Sequence, residues 1–169
     1  FIDLYAITFW DYFQMALLAF FVHALINNKF VGHFVGLGVW VIMFVLRSFL
    51  NYDYNLFFYS YKPGYMISDM NDFGHFGQPL FWFNLYWTAF GFILLLLAAL
   101  LWTRGSDNSL KMRLRAFADR WTRPAQITFF VLLAFWIGSG SVIYRNISGI
   151  NHYRTNKEGE KLSAEYEIK

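Results

Sequence analysis

Residues 73–103 read FGHFGQPLFWFNLYWTAFGFILLLLAALLWT, thirty-one positions without Asp, Glu, Lys or Arg. About 20 apolar residues in a helix cross a ~30 Å hydrocarbon core, so this stretch predicts a membrane-spanning helix over 79–103. Pro79 suits a first helical turn, and the belt Phe81, Trp82, Phe83, Tyr86 and Trp87 suits a membrane interface. The rest of the chain follows the same pattern. Apolar runs at 8–27, 30–50 and 125–144 predict three more crossings, the first two joined by the polar turn Asn27, Asn28 and Lys29 as an antiparallel hairpin.

Composition agrees. The 169 residues are 57% hydrophobic, 23% aromatic and 15% charged, against roughly 25% charged in an average soluble domain. The expected fold is an all-α integral membrane bundle of about four transmembrane segments. Cysteine is absent, which excludes disulfides and thiolate metal sites and leaves compartment open. The net charge of +3 lies largely in one loop, which argues against a nucleic-acid partner. The chain opens FIDLYAITFW and stops in the middle of a polar pattern, and it reads as a piece of something longer.

Between the second and third segments, residues 51–78 read NYDYNLFFYSYKPGYMISDMNDFGHFGQ. So many aromatic residues predict an interfacial subdomain on the outer face of the bundle, a plug or an outer gate. The gate candidates are Pro63, Gly64, Tyr65, Asp69, Asp72, Gly74 and His75, with Ser68 or Asp69 as a helix cap. Residues 104–124, RGSDNSLKMRLRAFADRWTRP, place Leu110, Leu114, Phe117 and Trp121 at helical spacing among basic residues. That pattern predicts an amphipathic surface helix. Lys111, Arg113, Arg115 and Arg120 are its candidate contacts with lipid headgroups or a partner.

Basic residues in short loops mark the cytoplasmic side. The 104–124 connection is therefore expected inside and the aromatic loop outside, which sends residues 151–169 outward as a polar, helix-forming linker. Every Glu of the chain lies from Glu158 onward.

Few residues point to chemistry. The chain has no P-loop, no GxSxG and no HExxH, so it is not expected to be an enzyme in itself. His23 and His33 fall at similar depth on antiparallel neighbours, and two facing imidazoles are a candidate haem ligand pair. Contact with water or a carbonyl is the plainer use. Asp11 and Arg47 lie near the outer ends of their segments, as a salt bridge or as interface anchors. Gly32 and Gly36 have the spacing that lets helices approach closely in lipid.

The run PGYMISDMNDFGHFGQPLFWFNLYW, followed by a Leu-rich span ending WTRG, resembles part of a family of large bacterial membrane proteins. In that family an ABC transporter permease is fused to a C-terminal aminopeptidase-N-like zinc peptidase. The tail YRNISGINHYRTNKEGEKLSAEYEIK looks like the linker into the peptidase. The resemblance covers roughly half the chain. It implies that residues 1–150 are a permease portion in the bacterial inner membrane and that 151–169 are periplasmic. It also implies ATP used by a separate cytoplasmic ATPase subunit, a second copy of the chain as a further partner, and zinc confined to a downstream domain. The alternatives are a membrane anchor or a haem-binding redox subunit.

Overall fold

The computed structural model describes residues 2–26, 28–50, 55–65, 73–103, 110–150 and 163–164. Five helices form from them: α1 (Ile2–Leu25), α2 (Lys29–Leu50), α3 (Gly77–Leu101), α4 (Leu110–Arg120) and α5 (Arg123–Tyr144). Short turns at Asn55–Phe57 and Gly74–Phe76 precede α3, and a wider π-helical turn, Arg145–Ile150, continues α5. No strand occurs among the described residues. α1, α2, α3 and α5 are long and apolar enough to cross a membrane. At 1.5 Å per residue, the 25 residues of α3 span about 37 Å.

Helix ends follow local chemistry. Asn28 caps α2: its Oδ1 accepts from the Phe30 amide at 2.9 Å and the Val31 amide at 3.5 Å, satisfying donors that a first turn leaves orphaned. Pro124 sits at the start of α5, where its missing N–H costs nothing. α1 begins at Ile2 rather than near position 8. The helical backbone continues through residues whose hydropathy alone marks no crossing.

α3 is the axis of the bundle, flanked by α1 and α5. Leu80, Phe83, Trp87, Ile93 and Ala98 on α3 are buried. A core of Tyr59, Phe83, Tyr86, Trp87, Leu94 and Ile143 joins the turn before α3, α3 and α5. α2 lies outside, against α1, and leaves Phe30, Phe34, Leu37, Ile42, Phe44 and Phe49 exposed. α5 likewise exposes Ile127, Phe130, Val131 and Ile137. These helices present hydrocarbon outward, the reverse of a water-soluble amphipathic pattern.

Close approach occurs at Gly32 of the predicted pair, against the His23 ring of α1, and at two further glycines. A Cβ on Gly91 of α3 meets Leu17 Cδ1 of α1 at 2.6 Å and the Tyr59 hydroxyl at 3.3 Å, and one on Gly140 of α5 meets the Tyr86 ring at 2.9 Å. Gly36 faces open space, and Gly32 accommodates the His23 ring. The reason is that α2 leans on α1 only lightly, so the glycine spacing on α2 has no helix to meet over most of its length. Gly91→Ala is expected to destabilise the bundle by about 1 kcal/mol through overpacking, measured by denaturation in mixed micelles. Gly36→Ala is expected to be neutral or slightly stabilising.

Candidate functional site

Polar chemistry gathers in two regions of the bundle. At one end α4 lies across the ends of the long helices. Arg113 is buried and its Nη1 donates to the Ala24 carbonyl in the last turn of α1. Arg120 Nη1 donates to the Trp102 carbonyl just past α3 and, at 3.3 Å, to that of Ala99. The last carbonyls of a helix have no intrahelical donor and carry partial negative charge, so a guanidinium satisfies both. Phe117 stacks on Trp121 with ring centres 5.1 Å apart, and Trp121 meets Phe129 of α5 at 5.5 Å. α4 is thereby attached to α1, α3 and α5.

The four basic candidates for lipid or partner contact on α4 are placed differently from one another. Lys111 and Arg115 are exposed, whereas Arg113 turns inward and the Arg120 guanidinium is engaged by carbonyls. Leu114, one of the four apolar positions, is exposed.

Away from α4, residues 55–62 form an aromatic hook that reaches the middle of α1 and α3 and the last turn of α2. The buried Tyr59 hydroxyl donates to the Gln14 carbonyl at 2.6 Å. Trp87 Nε1 donates to the Tyr61 carbonyl at 3.0 Å. Gln14 is completely buried, and its Nε2 donates to Thr88 Oγ1 at 3.2 Å and to the Asn84 carbonyl at 3.3 Å. Ser60 between the two tyrosines has φ of 61°, a left-handed conformation uncommon for a residue with a Cβ. The Lys62 ammonium pairs with Asp11 at 2.5 Å. Arg47 donates to Asn55 Oδ1 at 2.9 Å and lies 3.6 Å from the centre of the Tyr61 ring. Asp11 and Arg47 are thus each tied to the hook rather than to one another.

Hook and helices line a half-open cavity of about 580 Å³, bordered by Asp11 and Met15 of α1, Met43, Phe44 and Arg47 of α2, and Phe58 of the hook. A smaller cavity of about 300 Å³ lies between the start of α3 and the turn after α5, beside Trp82 and Ile143. Burial pushes the Tyr59 phenol above its ordinary value of about 10. Between that value and the raised one, the unfolded chain has lost a proton that the folded chain keeps, so stability falls as pH rises above about 10. Tyr59→Phe is expected to cost about 1 kcal/mol near neutrality, the worth of one hydrogen bond. It also removes this residue's share of the alkaline decline, which denaturation at several pH values measures.

The predicted gate is only partly gathered here. Gly64 and Tyr65 are exposed, and Tyr65 touches Phe73 with ring centres 6.0 Å apart. Pro63 follows the paired Lys62. Gly74, at φ of 46°, and His75 belong to the turn Gly74–Phe76. Ser68, Asp69 and Asp72 lie outside the described residues.

His23 and His33 do meet, edge to face, with ring centres 4.6 Å apart. Rings in direct contact leave no gap for a porphyrin between them, so the observed packing does not fit the haem reading. Among the described residues no group of three or more His, Asp or Glu side chains is disposed to hold a metal ion.

Gln14 escaped the sequence reading. Its signal was there: Asn84 and Thr88 lie four residues apart on α3, one face of a helix, opposite a lone amide in an otherwise apolar stretch. Comparison with known protein families, with curated proteins and with solved structures finds no match.

Proposed function

We propose that this chain is the membrane-spanning portion of an ABC-type transporter permease of the bacterial inner membrane. In this reading it is an integral, multi-pass bundle, its α4 end is cytoplasmic, and its tail leads to a periplasmic zinc peptidase domain. The observation that supports the reading best is the attachment of α4. A surface helix whose arginines hold the ends of two long helices and whose aromatic residues join a third is suited to carry motion from a cytoplasmic ATPase into the bundle. Lys111 and Arg115, left exposed on α4, are then the contacts with that ATPase or with anionic headgroups. The hook lies away from α4. This chain is not itself the enzyme; ATP belongs to the partner subunit and zinc to the downstream domain.

Two experiments test it. Purification of the full-length protein in mild detergent is expected to bring an ATPase subunit with it, and Lys111→Glu combined with Arg115→Glu is expected to release that subunit without unfolding the bundle. Sidedness is tested by single cysteines at Ser163 and Ser109 with a membrane-impermeant maleimide in intact spheroplasts. Ser163 is expected to label and Ser109 to stay protected. The reversed pattern overturns the topology and the fusion-family reading together.

A further inference from the structure

The cavity under the aromatic hook is open on the side of α2, where Trp40 and Phe44 are more than half exposed. Its volume, about 580 Å³, falls in the range of ~300–1,000 Å³ that encloses a single small ligand. Its walls divide by chemistry. Trp40 and Phe44 stand parallel one turn apart on α2, ring centres 6.0 Å apart, and continue the lining formed by Met15, Met43 and Phe58. Methionine side chains adapt to an alkyl chain of variable shape.

Asp11 and Arg47 both line the cavity. Asp11 and Lys62 neutralise one another. Among the described residues Arg47 donates to the Asn55 amide and lies over the Tyr61 ring, and its planar guanidinium at the cavity wall is suited to a carboxylate or phosphate. Ser60 supports the arrangement. Its left-handed backbone lies in the cavity wall, between the two hook residues tied to α1 and α3, and such strain is found where the surroundings hold a site in shape.

We infer that this cavity binds a single-chain amphiphile with an anionic head, the alkyl chain against Trp40, Phe44 and the methionines and the head on Arg47. One chain matches the volume better than a two-chain phospholipid does. The inference does not depend on the permease reading, because it concerns occupancy of the cavity and not what drives transport.

Photolabelling tests it. The full-length protein in nanodiscs of zwitterionic phospholipid is exposed to a diazirine-bearing palmitate, and the labelled peptides are mapped by mass spectrometry. Labelling is expected to concentrate in residues 40–48 and 58–61. Excess palmitate or lysophosphatidylglycerol is expected to compete it away, whereas hexadecanol, with the same chain and no charge, is not. The more effective of the two anions identifies the head as carboxylate or phosphate. Arg47→Gln is expected to reduce labelling at least fivefold and Arg47→Lys less than twofold. Met43→Trp fills the cavity while leaving Arg47 in place, and is expected to abolish labelling in a protein whose folding is checked by its melting transition. Equal labelling of the exposed faces of α3 and α5, equal competition by hexadecanol, or undiminished labelling of both the Arg47→Gln and Met43→Trp proteins overturns the inference. Failure to co-purify an ATPase leaves it standing, and loss of labelling leaves the permease reading standing.

Discussion

Trp87→Ala is expected to destabilise the folded bundle by about 3 kcal/mol and to release the aromatic hook. Trp87 is 4% exposed and contacts the rings of Tyr59 at 5.4 Å, Tyr86 at 4.7 Å and Phe90 at 6.1 Å. Truncating a buried aromatic residue costs about 3–5 kcal/mol. The low end applies where the exterior is as apolar as the core, because packing rather than exclusion of water then holds the helices. The Tyr61 carbonyl also loses its donor at 3.0 Å, but Tyr61 is exposed, so this loss adds little to the packing term. Trp87→Phe keeps most of the packing and removes only the hydrogen bond, so it is expected to cost less than half as much. Denaturation in mixed micelles measures both, and accelerated proteolysis within 55–65 in Trp87→Ala reports detachment of the hook. Equal losses in the two variants would assign the whole effect to the hydrogen bond and refute the packing account.

Arg113→Ala is expected to cost about 2 kcal/mol, in the range for a hydrogen bond made by a charged group, and to detach α4 from α1. Arg113 is 6% exposed, and its guanidinium reaches the Ala24 carbonyl in the last turn of α1. Arg120, exposed and bonded to carbonyls at the end of α3, is expected to cost under 1 kcal/mol when replaced by Ala, since water can substitute at its site. Arg113→Lys retains the charge without the planar fork and is expected to recover part of the loss. If α4 transmits motion, Arg113→Ala also uncouples substrate-stimulated ATP hydrolysis in the full assembly while leaving the ATPase bound. A variant of unchanged stability with unchanged coupling would show that the contact is incidental to both.

Much of the architecture was legible because hydropathy sums over a whole helix. A span such as Phe90–Leu101 is apolar on every turn, so a shift of a residue or two in the ends of α3 or α5 leaves the reading of a long apolar helix intact. The positions of the polar connections were legible for a related reason, while the cap at Asn28 and the helix start at Pro124, which act within three residues of themselves, came from the structure. The candidate site was legible only in outline. The aromatic loop announced itself by composition, and the residues that organise its described part are Gln14, Tyr59, Ser60 and Trp87. Gln14 and Tyr59 are forty-five positions apart, and no local pattern joins them.

The four apolar spans, the amphipathic character of α4 and the order of elements were determined by the sequence itself, because each rests on the periodicity and capping of neighbouring residues. Which glycines admit a neighbour, which arginines turn inward and where a cavity opens were decided by the tertiary structure alone. Gly36 and Gly91 look alike in a string of letters, and so do Arg113 and Arg115. They differ because α3 stands between α1 and α5 while α2 stands outside, and because the free carbonyls at the ends of α1 and α3 come within reach of one face of α4 and not the other.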